Sequence, residues 1–139
     1  MAVPRRIPVA FGVVFPLGAF VVGVEPVNDF DKVRAGAADA QQRDEETGDL
    51  VWQVKGIDAD PAARTNELKI RMTAAVQPVP PELLPGTPFR PVEFDNLSLA
   101  PYVDRRNAER PKIAYSLRAS DMRAPGAANG RRPGPAVAA

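Results

Sequence analysis

Cysteine and histidine are both missing from this sequence. The first absence excludes disulfides and thiolate chemistry. The second removes the commonest general base, and together they remove zinc sites of the usual kinds. Ser98, Ser116 and Ser120 therefore have no histidine to activate them. No glycine-rich phosphate loop is present either. Aromatics make up only 6% of the chain, which leaves few platforms for base stacking. The net charge of +1 is far below that of a dedicated nucleic-acid clamp. The expectation is a non-enzymatic protein with no cofactor and no metal.

One long run lacks charge. Residues 7–24 carry no ionisable side chain and follow Arg5 and Arg6, which raises the possibility of a membrane anchor. Pro8, Gly12, Pro16, Gly18 and Gly23 interrupt it, and no A-x-A cleavage pattern follows. The run reads better as two strands, 9–15 and 19–24, around a turn at Pro16-Leu17-Gly18. A cytoplasmic protein with no membrane contact is the expectation.

What is present points to strands. Apolar residues make up 45% of the 139, enough for one small core. Sixteen prolines and ten glycines weigh against long helices and favour short strands with many turns. The clearest pattern is a pair of runs, 50–57 and 67–77, joined by 58–66. Leu50, Trp52 and Val54 alternate with Val51, Gln53 and Lys55. Leu68, Ile70, Met72, Ala74 and Val76 alternate with Lys69, Arg71, Thr73 and Ala75. Period two marks strands, because successive side chains point to opposite faces. Asp58, Asp60, Pro61 and Asn66 supply the turn, and an Asx-turn explains Asp58-Ala59-Asp60 better than half a calcium loop does.

The stretch 27–49 is polar, and its Ala-rich middle, 33–42, reads as a loop. Its carboxylates Asp44, Glu45, Glu46 and Asp49 read as a solvated acidic loop rather than a cation site. The prolines of 78–88 make an extended connector. Strand character resumes at 89–94 and 97–99, with Asp95-Asn96 as a turn or bulge that shifts Leu97 and Leu99 into a new phase. A charged loop, 100–111, precedes a last strand, 112–119, in which Ile113, Tyr115, Leu117 and Ala119 share a face.

Six or seven strands with little helix describe an all-β protein. A small antiparallel barrel of the oligonucleotide-binding type is the first choice, and an Ig-like β-sandwich the alternative. Residues 1–8 read as a disordered basic arm, 9–123 as a single barrel-like domain and 124–139 as a disordered Pro/Gly/Ala tail.

Charge is spread unevenly, with 6 basic and 10 acidic groups in residues 1–60 against 12 and 7 in 61–139. If the strands pair as drawn, Lys55, Lys69, Arg71 and Arg118 share the outer face, where a row of cations can follow a phosphate backbone. Trp52, Phe94 and Tyr115 fall in phase with the apolar set and read as core. Tyr102 is the best aromatic left for a ligand, with Arg105, Arg106, Arg110 and Lys112 nearby. The plain alternative for that loop is solvation, with Arg–Asp pairs of little weight.

Local phrases carry more than composition. They run from Val14-Phe15-Pro16-Leu17-Gly18-Ala19 through Val24-Glu25-Pro26-Val27 and Asp29-Phe30-Asp31. They continue with Thr47-Gly48, Val51-Trp52-Gln53-Val54 and Ile57-Asp58-Ala59-Asp60-Pro61. Then follow Val76-Gln77-Pro78-Val79-Pro80-Pro81 and Pro88-Phe89-Arg90-Pro91-Val92-Glu93-Phe94. The series ends with Pro101-Tyr102-Val103 and Ala114-Tyr115-Ser116-Leu117-Arg118-Ala119. In this order they resemble the plasmid replication, integration and excision activators of actinomycete integrative and conjugative elements, over roughly residues 11–124. Leu17 and Asp121 depart from the polar and small residues expected there. The resemblance implies an accessory role in replicating and excising a mobile element. It leaves open whether that happens by touching DNA, single-stranded DNA being the partner the basic face suggests, by touching the replication initiator or helicase, or by acting on transcription.

Overall fold

The computed structural model describes residues 1–126, so the expected tail lies outside the described residues from position 127 onward. The described chain forms β1 (Ile7–Pro8), α1 (Phe11–Val14), β2 (Ala19–Pro26), α2 (Phe30–Arg34), β3 (Leu50–Asp58), β4 (Glu67–Ala74), β5 (Arg90–Asp95), β6 (Ser98–Asp104), β7 (Lys112–Arg118) and β8 (Asp121–Arg123). The strands make one sheet, in the order β1-β6-β7-β4-β3-β2-β5-β8, curled into a half-barrel. The all-β reading holds. The described residues contain no helix long and apolar enough to cross a membrane.

The hairpin read from period two is the centre of this sheet. β3 and β4 pair in unbroken register from Leu50↔Ala74 to Ile57↔Glu67. Asp58 accepts from the Asp60 amide at 2.9 Å and Asp60 from the Ala62 amide at 2.8 Å, the Asx-turns that cap the intervening loop. Trp52, Val54, Leu68, Ile70 and Met72 point inward and are buried. Completely buried aliphatic side chains such as Val54, Ile70 and Val92 are each worth about 1.5–3 kcal/mol. β2 joins this pair with one extra residue, Val22, between the Val21↔Gly56 and Gly23↔Lys55 partners. At this bulge the backbones approach so closely that a Cβ on Gly56 would strike the Phe20 carbonyl oxygen.

The second half of the chain is a single bent hairpin. Glu93 faces Arg123 and Asp95 faces Asp121, then Ser98 faces Arg118 and Asp104 faces Lys112. The offset never changes, so β5–β6 and β7–β8 are two long strands with a shared bend. Asn96 adopts φ 51°, and its side-chain amide donates to Ser120 Oγ at 2.8 Å. The bend reverses the alternation on both strands. Val92, Phe94 and Met122 are buried before it, Leu97 and Ala119 after it. The new phase expected beyond Asp95-Asn96 is thus present.

Counting each bent pair as one strand, the circuit runs β2, β3, β4, β7–β8, β5–β6 and back to β2 through the β2–β5 ladder. Only β4 and β7 run parallel, at Ile70↔Leu117 and Arg71↔Arg118, so the sheet is mixed rather than purely antiparallel. This connectivity is that of a five-stranded, partly open Greek-key barrel, the oligonucleotide-binding architecture.

Several local expectations are corrected. Residues 9–15 are not a strand. Phe11 on α1 and Phe15 at its C-cap, four apart, meet with tilted rings at 5.2 Å, and Phe11 also meets Phe94 at 6.2 Å. One helical turn puts both rings over the core, leaving Val13 exposed. Residues 6–8 are not a loose arm, because Ile7 pairs with Leu99 and Pro8 with Ser98. The charged loop is shorter than expected, since β6 extends to Asp104 under pairing from β7. Pro101 is tolerated because β1 reaches only Ser98 and Leu99, leaving the rest of β6 an edge. Tyr115 is in phase with the core but 55% exposed, because β6 and β7 run past the strands that would cover it.

Candidate nucleic-acid interface

The outer face of the sheet brings the four strand cations together. Lys55 and Lys69 are cross-strand partners, Gln53 faces Arg71, and Arg71 lies beside Arg118 across the parallel β4–β7 pair. Adjacent strands are about 4.8 Å apart, so these charges form a compact patch. At one end of the face, Val51 is covered. Its carbonyl accepts from the Val27 amide and from Gln41 Nε2, and its amide donates to the Gln42 carbonyl. The loop 27–49 is therefore anchored beside β3 at Val51, which is buried, whereas Lys55 and Lys69 farther along the face are exposed.

Two of the four cations are paired with carboxylates. Lys55 Nζ is 3.7 Å from Glu25, and Lys69 Nζ is 2.9 Å from Glu67. The Lys69 hydrogen bond is the first cause holding the Glu67 carboxyl below its ordinary pKa. These pairs are solvent-exposed and worth little in stability. Their consequence is electrostatic, because each carboxylate offsets part of a lysine's field.

Arg71 and Arg118 differ. Among the described residues neither has a carboxylate partner, and Arg118 Nε is buried without an acceptor. A fifth cation, absent from the sequence-based set, stands beside them. Arg6 Nε donates to Ser98 Oγ at 3.1 Å, and its terminal nitrogens reach the Ser116 carbonyl at 2.8 Å and the Ser98 carbonyl at 3.3 Å. Ser98 is the cross-strand partner of Arg118. Burial, then the charges of Arg118 and Arg5, lower the Arg6 pKa from its ordinary value, although a guanidinium stays protonated in proteins. No local pattern marks Arg6. The only signal was its place one residue before an apolar run that pairs with a distant strand.

The tip of the β6–β7 hairpin carries the other expected residues. Tyr102 is 51% exposed on the same outer face as Ser116 and Arg118. Arg105, Arg110 and Lys112 are exposed. Arg106 folds back on Asp104, with Nη2–Oδ2 at 2.7 Å, Nε–Oδ1 at 3.0 Å and its own amide to Oδ1 at 3.0 Å. The Arg106 side-chain hydrogen bond, followed by that from its amide, lowers the Asp104 pKa to about 2. Asp104, Arg106, Asn107, Arg110 and Lys112 line an open depression of about 400 Å³.

Asp44 is spent on its own turn, accepting from the Thr47 amide and hydroxyl at 3.1 Å each. Among the described residues no cluster of three or more acidic groups could hold a metal. No protein-family model, curated protein or solved structure matches this chain.

Proposed function

We propose that this protein assists replication and excision of an integrative plasmid in the cytoplasm by binding single-stranded DNA along the outer β3–β4–β7 face. The observation that carries the reading is the continuous cationic row Lys55, Lys69, Arg71, Arg118 on β3, β4 and β7, where β3 and β4 are the second and third strands of the Greek-key barrel. In that architecture this face and the loops at its ends receive oligonucleotides. Here those loops are 27–49 and 105–111, the latter carrying Arg105, Arg106 and Arg110, with Lys112 opening β7 directly after it. The sequence resemblance to element-borne activators supplies the biological setting, and fold by itself does not. No aromatic lies on the β3–β4 part of the face, so the contact is with phosphates rather than stacked bases.

The test is a titration with a labelled single strand at two salt concentrations, read by anisotropy. The expected result is binding at low salt that collapses as salt rises, with log K falling by about 0.7 per phosphate for each unit of log salt. The charge reversals Lys69→Glu and Arg71→Glu should weaken binding and flatten that slope. Unchanged affinity and salt slope in both would remove the reading.

A second reading rests on a different observation. Pro101, Val103, Ile113 and Tyr115 form an exposed apolar face on the β6–β7 tip. Such a face suits a protein-interaction adaptor for the replication initiator or helicase, with no DNA contact of its own. Pull-down of a replication protein from nuclease-treated lysate, abolished by Ile113→Asp and combined with no anisotropy change on DNA, would favour it.

A further inference from the structure

We propose that Arg6, Arg71 and Arg118 form a discrete phosphate site, which takes one phosphate of the bound strand and fixes its position on the face. Only the identity of the natural ligand rests on the nucleic-acid reading; the site itself rests on three observations.

The first is the contrast between these arginines and their neighbours. Lys55, Lys69 and Arg106 each have a carboxylate within 4 Å. Arg6, Arg71 and Arg118 have none among the described residues. Like charges placed side by side on a sheet repel, and the ordinary remedy of an interleaved acid is missing here. The second is that the chain goes out of its way to add the third charge. Arg6 reaches the β6–β7 surface only because Ile7 and Pro8 pair with Leu99 and Ser98. Its guanidinium is then held by both oxygens of Ser98 and both of Ser116, at 2.8–3.4 Å. All four acceptors are neutral, so Arg6 is positioned without being neutralised. The third is that Arg118 buries its Nε without an acceptor beside that added charge. An anion bound between the three offsets the accumulated charge. Phosphate fits the chemistry, because guanidiniums present a planar fork that matches phosphate oxygens, and Arg6, whose serine bonds use four of its five N–H groups, adds its charge and one remaining donor.

The site differs in kind from the rest of the face. The paired lysines attract a polyanion diffusely, whereas fixed guanidiniums hold one group in one place. This assigns the amino-terminal segment a working role, since it carries one of the three ligands.

The test uses the full chain and inorganic phosphate, titrated against chloride at constant ionic strength and followed by side-chain Nε–Hε and backbone NMR shifts. Saturable shifts confined to the surroundings of Arg6, Arg71 and Arg118 are expected. Arg71→Gln and Arg6→Gln should each weaken phosphate at least about tenfold, the loss of one charge-assisted hydrogen bond. Lys55→Gln should leave it within about twofold, in keeping with a screened surface charge. Circular dichroism establishes that each variant is folded; Arg6→Gln is the safeguard, lying outside the barrel core. Shifts spread evenly over every cation, or equal affinities in Arg6→Gln, Arg71→Gln and Lys55→Gln, would overturn the site. A labelled single strand separates the two claims. Saturable phosphate binding with no strand binding keeps the site and defeats the nucleic-acid reading. Strand binding weakened no more by Arg71→Gln than by Lys55→Gln keeps that reading and defeats the site.

Discussion

The two halves of the bent hairpin share one register and a period of two, reversed in phase at the bend, yet they meet opposite fates. On the β5–β8 side, Val92, Phe94 and Met122 are at most 6% exposed. On the β6–β7 side, Val103, Ile113 and Tyr115 are 49–59% exposed. Both halves are apolar on one face. What separates them is cover. β5 lies against β2, with α1 packing Phe11 on Phe94, whereas β7 meets β4 only at Leu117 and Arg118. The apolar row Val24–Val54–Ile70–Leu117–Leu99–Ile7 crosses the sheet and ends where the tip begins. Periodicity therefore states which face a residue shares, and only the neighbours state whether that face is wet.

This contrast can be broken at graded cost. Phe94→Ala should lose about 3–5 kcal/mol of stability in urea unfolding, since a buried aromatic leaves a cavity that also undermines Phe11. A loss below about 1 kcal/mol would mean that the β5 side is no better covered than the tip. Gly56→Ala should cost about 1–3 kcal/mol, because the new methyl meets a backbone carbonyl that cannot rotate away. The bend joining the halves is next. Asn96→Ala should cost about 1 kcal/mol by losing the Ser120 bond and keeping a left-handed φ, whereas Asn96→Gly should lose less. Equal thermal midpoints for the two would count against backbone conformation as the cause. On the tip, Ile113→Ala and Tyr115→Ser should stay within about 0.5 kcal/mol of the parent.

The smallest effect is a pH dependence. Asp104 titrates at about 2 in the folded chain, below the ordinary carboxylate near 3.9. A depressed carboxyl contributes stability that is present above its unfolded pKa and fades as pH falls through its folded one. The parent should therefore lose a little more thermal stability than Asp104→Asn between about pH 4 and pH 2. A carboxyl carbon titration by NMR that places Asp104 near 4 would contradict the Arg106 clamp.

Legibility followed the length of each pattern. The β3–β4 hairpin was readable because eight residue pairs obey one alternation, and its outer cations came with it. The change of phase at Asp95-Asn96 was readable because Asn tolerates the left-handed conformation found there. The segment 9–15 was misread because Phe11, Val13 and Phe15 suit either a strand or a turn of helix. The choice fell to aromatic packing four residues apart. Tyr115 was misread for the complementary reason, having the correct phase and no cover. Arg6 was invisible because its partners, Ser98 and Ser116, are 92 and 110 residues away.

By itself, then, the sequence determined an all-β chain without thiol or imidazole chemistry, a central hairpin with one basic face, and the phase of each long strand. These are local properties, written in residue type and in a period of two. Tertiary structure alone decided that β7 runs parallel to β4, placing Arg118 beside Arg71, and that Arg6 returns to the same spot. It also decided which apolar faces are covered. Such outcomes depend on pairing between residues far apart in the chain, where burial and hydrogen bonding, not local preference, set the free energy.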